Sequence, residues 1–181
     1  MVKFGHIYIR KIIERIYEME ISIRDMQPTD WDDVKRIYTQ GLEEGRSTFE
    51  TQCPSYTEWN TNHIQECRYV AVAYNKVIGW VAISPTSSRD CYKGVVSLSI
   101  YIDHDYRSMG VGKRLLNHLC SESEKRGYWC LYSGIFSQNE ASLELHRSCG
   151  FRRIGYREKI AKDRFGNWQD TVLMERRTTY R

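Results

Sequence analysis

The stretch Ile100-Tyr101-Ile102-Asp103-His104-Asp105-Tyr106-Arg107-Ser108-Met109-Gly110-Val111-Gly112-Lys113 decides how the rest of the chain is read. It begins as the apolar end of a strand, breaks at Asp103, and restarts at Gly110 as a helix with Val111, Leu115, Leu116 and Leu119 on one face. The turn between strand and helix carries an R-x-x-G-x-G-K pattern from Arg107 to Lys113. The first backbone N–H groups of a helix lack intrahelical partners, its dipole is positive there, and glycines let an anion approach the backbone closely. Arg107 and Lys113 add charge at the same place, so the segment reads as a cradle for a pyrophosphate. A bare G-x-G would be no more than a tight turn; the flanking Arg, Lys and strand point to a nucleotide-type ligand. Other phosphate motifs fit less well. A P-loop needs glycine where Arg107 stands and Ser or Thr at Arg114, and a dinucleotide fingerprint needs a third glycine at Leu115.

Working outward, the spacing predicts a strand over Val95–Ile102 before this turn and a helix over Gly110–Lys125, stopped by Gly127. Upstream, Tyr69–Tyr74 and Val77–Ser84 read as a hairpin joined at Asn75-Lys76. A first strand falls at Ile21–Met26, followed by a helix started by Thr29 and Asp32, and a second helix starts at Ser55 with Glu58. Downstream come a strand at Tyr128–Ile135, a helix opened by Ser137-Gln138-Asn139 and ended by Gly150, and strands at Arg152–Ala161 and Gln169–Met174. This order predicts an α/β fold whose sheet mixes antiparallel hairpins with parallel crossovers.

The 181 residues, 41% hydrophobic and 28% charged, fit one globular domain and exclude disorder or low-complexity repeats. Lys and Arg number 27 against 23 Asp and Glu, a dispersed net +4 that does not propose nucleic acid as the partner. The apolar stretches are too short to span a bilayer, and the N-terminus lacks the apolar core of a secretory signal, so no membrane partner and a cytoplasmic location are expected. The six cysteines lack metal-ligand spacing, which reads as free thiols and no metal. Residues 1–20 carry a charged helical pattern without a cap and are expected to be an N-terminal extension, with Met19 an alternative start. The core is expected at 21–176 and a tail at 177–181.

A second block, Asn139-Glu140-Ala141-Ser142-Leu143-Glu144-Leu145-His146-Arg147-Ser148-Cys149-Gly150-Phe151, completes a pattern. Together with Arg107 to Gly112 it resembles the GNAT N-acetyltransferase superfamily. Ser47-Thr48-Phe49-Glu50-Thr51 with Pro54 and Trp59, and Gly134-Ile135-Phe136 leading into Asn139, resemble its phosphinothricin and methionine sulfoximine acetyltransferase branch. The resemblance covers Ile21 to about Arg176. It implies a mixed, mostly antiparallel sheet of about six or seven strands flanked by about four helices, a homodimer, acetyl-CoA as cosubstrate and a small amino-acid-like amine as acceptor.

On this resemblance the backbone of Ile100, Tyr101 and Ile102 would hold the pantetheine arm like an added strand. The N–H groups from Ser108 through Met109, Gly110, Val111, Gly112 and Lys113 would hold the pyrophosphate. Asn139, with Ser142 in the same block, would bind near the thioester; Asn139 is also a natural helix cap. His146 stands where many members carry an acid for the leaving thiolate, and is equally a half-buried helix residue packed on the sheet. Phe49, Tyr92 and Lys93 fall where the branch meets its acceptor, and Trp59 and Trp80 are candidate pocket walls or plain core. One position departs from the pattern. The branch usually carries a Glu base on the strand before the cradle, and this chain has Ser97, whose hydroxyl can hold a water but cannot take an ammonium proton. Glu43 and Glu44 are substitutes, or simply a solvated helix end. Two rival readings follow: acetylation of a protein or peptide N-terminus, and a CoA-binding regulatory module with little turnover.

Overall fold

The computed structural model describes residues 20–178, so the expected N-terminal extension lies almost wholly outside the described residues. The elements run β1 (Ser22–Asp25), α1 (Trp31–Glu44), α2 (Tyr56–Asn62), β2 (Arg68–Ala73), β3 (Lys76–Pro85), β4 (Val95–Ile102), α3 (Val111–Lys125), β5 (Cys130–Phe136), α4 (Glu140–Ser148), β6 (Arg152–Lys162) and β7 (Trp168–Arg177). They form a seven-stranded sheet in the order β1-β2-β3-β4-β5-β7-β6. Every neighbouring pair is antiparallel except β4 and β5, which are parallel and joined by the crossover helix α3. The mixed α/β fold, with four α-helices among the described residues, is the one the sequence predicts.

Both faces of the sheet are covered, and the alternation along β3 shows how. Val81 and Ile83 pack with Leu115, Leu116 and Leu119 of α3 on one face. Trp80 and Ala82 pack with Val34 and Ile37 of α1 and Trp59 of α2 on the other. A strand buried on both sides needs apolar residues at consecutive positions, which is why this stretch reads as an unbroken apolar run.

Three local expectations shift. The hairpin turns at Tyr74 and Asn75, both left-handed at φ +52° and +59°, because Ala73 pairs with Lys76; a two-residue loop with both residues left-handed is the turn whose twist suits a tight hairpin. The first helical turn is held by Asp30, whose carboxylate accepts the Gln27 N–H at 2.8 Å, and not by Thr29 with Asp32. Pairing in β7 extends to Arg177, opposite Cys130. The Ser55–Glu58 cap forms as expected, Glu58 accepting the Ser55 N–H at 2.8 Å.

The end of β4 is anchored by Asp103, whose side chain is 1% exposed. Its carboxylate meets Arg36 of α1 at 2.5 Å, Lys76 of β3 at 3.5 Å and the amide of Gln40 at 3.4 Å. Burial alone would raise this carboxyl's pKa, but the hydrogen bonds from Arg36 and the Asp105 N–H outweigh it, and the net direction is down. A carboxyl depressed in the folded state stabilises the fold above its unfolded pKa of about 3.9, and that contribution disappears as pH falls through the folded value. Asp103→Asn is expected to cost about 2–4 kcal/mol at pH 7, because it leaves Arg36 without its buried partner. In urea denaturation the gap between wild type and variant should narrow as the pH is taken toward 3 and below; an equal gap at both pH values would contradict the assignment.

Candidate active site

The site follows from one break in pairing. β4 and β5 are in register only at Val95–Cys130, Val96–Leu131 and Ser97–Tyr132. Beyond Ser97 the strand keeps β3 as its partner as far as Ile102, while β5 stays bound to β7 along its whole length, from Cys130 to Phe136. The two strands therefore part, and the edge of β4 from Leu98 to Ile102 has no ladder partner among the described residues. Such an edge offers unpaired N–H and C=O groups to a ligand that can lie beside it as an extra strand.

The open edge leads to the N-terminus of α3. Ser108 and Gly110 adopt left-handed conformations at φ +62° and +79°, and no side chain caps the helix. Its first intrahelical bond runs from the Arg114 N–H to the Gly110 carbonyl at 3.1 Å. The N–H groups of Val111, Gly112 and Lys113 precede that bond and are left for an anion. A Cβ on Gly112 would stand 3.1 Å from Leu145, so glycine here lets α3 lie close against α4. Lys113 makes no ion pair among the described residues. Arg107 does: it meets Glu44 at 2.7 Å, so part of its charge is already answered. Met109 packs on the core beneath the loop and does not line the cleft.

On the other wall, Asn139 caps α4, its Oδ1 accepting the Ser142 N–H at 3.1 Å while its Nδ2 donates to the Arg46 carbonyl at 3.1 Å. The cap is thus tied to the loop after α1. His146 is 1% exposed, and its Nδ1 lies 2.8 Å from the Ser142 carbonyl. A carbonyl only accepts, so Nδ1 carries the hydrogen and Nε2 keeps a lone pair, buried and without a partner among the described residues. Burial, opposed by the Ser142 carbonyl, lowers this histidine's pKa. In its neutral form the ring donates at Nδ1 and can only accept at Nε2.

The cleft measures about 1210 Å³, larger than the few hundred to a thousand typical of a pocket for one small ligand, and it has two halves. One is the cofactor half just described, lined by Ile100, Tyr101, Ile102, Arg107, Ser108, Gly110 to Lys113, Asn139, Ser142 and His146. The other opens on the α1–α2 face. There Ser97, Ser99 and Tyr101 share a face with Trp80, since Trp80 is registered opposite Tyr101. Tyr101 stacks on Trp80 at 4.9 Å and meets Tyr38 edge-on at 5.0 Å. Trp59 stands against Trp80 at 5.7 Å, and Phe49 closes the far side against Phe136 at 4.6 Å. The indole N–H groups of both Trp59 and Trp80 are buried without partners among the described residues.

Ser97 and Phe49 thus line the second half, whereas Tyr92, 45% exposed on a surface turn, and Lys93 beside it do not line the cleft. Glu43 does not line it either. Glu44 does, but is committed to Arg107. A residue that sequence reading passed over does belong here: His63, just beyond α2, lines the cleft and stacks on Trp59 at 4.3 Å. A single His at a helix end carries no motif, so nothing in the sequence marks it.

Comparison with known proteins agrees with this geometry. The family model described as Acetyltransferase (GNAT) family matches residues 31–151. The chain is 30% identical over 161 residues to a phosphinothricin N-acetyltransferase of Alcaligenes faecalis, covering 86% of this chain and 81% of that one. Over 99 residues it is 33% identical to the L-amino acid N-acyltransferase MnaT of Escherichia coli, 55% of this chain and 57% of that protein. A solved phosphinothricin acetyltransferase from Sinorhizobium meliloti, in complex with acetyl-CoA, superposes with a TM-score of 0.78 at 28% identity, covering 87% of this chain and 88% of that one. With these matches, and with a parted β4 leading into a glycine-rich helix start, the chain belongs to the acetyltransferase (GNAT) family, in the branch of the phosphinothricin N-acetyltransferases.

Proposed function

We propose that this N-acetyltransferase moves the acetyl group of acetyl-CoA to the α-amine of a small amino-acid-like acceptor of the phosphinothricin or methionine sulfoximine type. The observation that carries the reading is the continuity of the cleft: the open β4 edge and the N–H cradle of α3 run without interruption into the aromatic half at Ser97. The cosubstrate supplies an activated thioester. The chain's own residues bind and orient. Ile100 to Ile102 offer the strand edge to the pantetheine arm, and the N–H groups of Val111, Gly112 and Lys113 with the Lys113 and Arg107 side chains hold the pyrophosphate. On this reading His146 would act at the reacting end through Nε2; Asn139 caps the helix turn at Ser142, whose carbonyl holds the ring by Nδ1. Proximity supplies much of the rate in such a direct transfer.

On the acceptor side, the two partnerless indole N–H groups suit an acceptor with an anionic oxygen, and the aromatic walls suit a short aliphatic chain. Tyr92 and Lys93 are expected at the acceptor by resemblance alone, since they do not line the cleft. The same reading places the enzyme in the cytoplasm as a homodimer acting on small molecules, with no nucleic acid, membrane or metal in its work. Supporting it, no helix among the described residues is long and apolar enough to cross a membrane. The outer strand β6 also leaves Ile154, Tyr156 and Ile160 exposed for a second copy.

With acetyl-CoA and a panel of amino acids, thiol release is expected with phosphinothricin or methionine sulfoximine; measured acetyl-CoA binding with no release for any amine would overturn the reading. Arg107→Ala is expected to weaken acetyl-CoA by about tenfold, or ~1.4 kcal/mol, in isothermal titration, with the melting temperature unchanged. Light scattering should return twice the chain mass; a monomer would remove the homodimer.

A further inference from the structure

An amine acceptor arrives as an ammonium and must lose a proton before it can attack, and Ser97 and Ser99 cannot take it. Most carboxylates that line the cleft are already engaged: Glu44 by Arg107, Glu58 by the Ser55 cap and Glu144 by Arg147. Glu50 remains, exposed on the loop before α2. We propose that His63 is the proton acceptor of this enzyme, its Nε2 taking the ammonium proton directly or through one water held at Ser97 and Ser99. The inference rests on the acetyl-transfer reading above.

The placement of His63 is fixed on several sides. The N–H of Ile64 donates to the Ile83 carbonyl at 2.8 Å, which sets the preceding residue beside β3 between Ala82 and Ser84. Those two are the registered partners of Ser99 and Ser97, one strand spacing of about 4.8 Å away. Ala82, the registered partner of Ser99, is small. The ring stacks on Trp59 at 22° and meets Trp80 edge-on at 6.4 Å. Arg68 clamps the backbone beneath it, donating to the carbonyl oxygens of Asn60 at 2.6 Å and Ile64 at 3.2 Å and to that of His63 itself.

The tautomer is fixed as well. Nδ1 lies 2.8 Å from the Trp59 carbonyl, so Nδ1 carries the hydrogen and the lone pair sits on Nε2, which has no partner among the described residues. Burial lowers the pKa, the Trp59 carbonyl opposes it and Arg68 adds to the lowering, with a net direction below the ordinary value. The other titratable groups around it are Glu58 on α2, Glu50 on the loop before it, Tyr38 on α1 and Tyr101 on β4, the two phenols held protonated by burial. His63 is therefore neutral and ready to accept at pH 7. His146 enters the cleft from the opposite face, against Phe151 of the α3 side, and does not compete for this proton.

The step balances as follows. The acceptor's ammonium gives one proton to His63 Nε2, leaving imidazolium; the freed nitrogen bonds the acetyl carbon; the carbon–sulfur bond breaks. The nitrogen's second proton goes to the departing sulfur, and His63 returns its proton to solvent. Products are the N-acetylated acceptor, CoA and one proton.

The test is the pH dependence of kcat/KM for His63→Gln with acetyl-CoA saturating. A fall of about 10²-fold at pH 7 is expected, recovering as the pH approaches the acceptor's own amine pKa. In wild type the rate should rise with pH through a histidine pKa below the usual 6.5, and this limb should vanish in the variant. Adding Ser97→Glu to the variant should restore the rate, which a purely structural role for His63 would not allow. Nitrogen-15 NMR of the CoA-bound protein, which needs no turnover, should show Nε2 unprotonated at pH 7. An unchanged profile in the variant, or a protonated Nε2, overturns the proposal while leaving acetyl transfer standing; absence of turnover in wild type overturns acetyl transfer itself.

Discussion

The parting of β4 and β5 after Ser97 is the constraint on which the rest of the molecule depends. β5 is zipped to β7 over seven registered pairs, Cys130–Arg177 through Phe136–Thr171, and β4 to β3 over seven more, Pro85–Val96 through Gly79–Ile102. Between these two ribbons β4 and β5 share only three registered pairs, Val95–Cys130 through Ser97–Tyr132, and then part. The gap costs the inner strand its hydrogen bonds on one side. That cost is acceptable only if the end of β4 is held by something else, and the buried Asp103, bonded to α1 through Arg36 and Gln40, holds it. The helix that begins a few residues later then points its free N–H groups along the opened edge.

The same register divides the chemistry. Leu98, Ile100 and Ile102 face the α3 side, and Ser97, Ser99 and Tyr101 face the α1–α2 side. A substitution at residue 97 therefore changes what the acceptor meets and leaves the core beneath untouched. This is why a chain lacking the branch's usual carboxylate keeps the whole fold, and why the identity of the proton acceptor is free to move to another element that reaches the same face. Gly41 shows how tightly that face is built: a Cβ there would stand 2.7 Å from the Tyr101 ring, so α1 lies directly on the aromatic wall.

What the sequence made legible follows from how local each signal is. The strand over Val95–Ile102, the cap at Ser55 and the glycine turn into α3 are set by residues adjacent in the chain, and the structure has them where the pattern places them. The hairpin turn was displaced by one residue, because register is decided by the Ala73–Lys76 pair across the strands and not by which residues look turn-like. Arg107 was visible as a charge, but its partner Glu44 lies 63 positions away and no local spacing announces it. Tyr92 and Lys93 were assigned to the acceptor by resemblance, and the exposed turn that carries them leaves the cleft to Trp59, Trp80 and His63. Trp59 and His63 stand four positions apart at the end of α2 and meet Trp80 of β3 only through packing.

The aromatic chamber also bears on why a histidine suits this position. A carboxylate between two indoles would be desolvated in its resting, charged state, at a cost only hydrogen bonds could offset. A neutral imidazole carries no such cost at rest and becomes charged only while it holds a proton in transit. Burial is the main cause of its lowered proton affinity and the Trp59 carbonyl opposes it; the Arg68 guanidinium, 5.1 Å from the Trp59 ring centre, adds to the lowering, while the π-face of that same indole, stacked on the histidine, attracts the imidazolium. An acceptor pulled too far down would not take the ammonium proton, and one pulled too far up would not release it. The clamp that positions His63 thus also adds its charge to the burial that disfavours the protonated form.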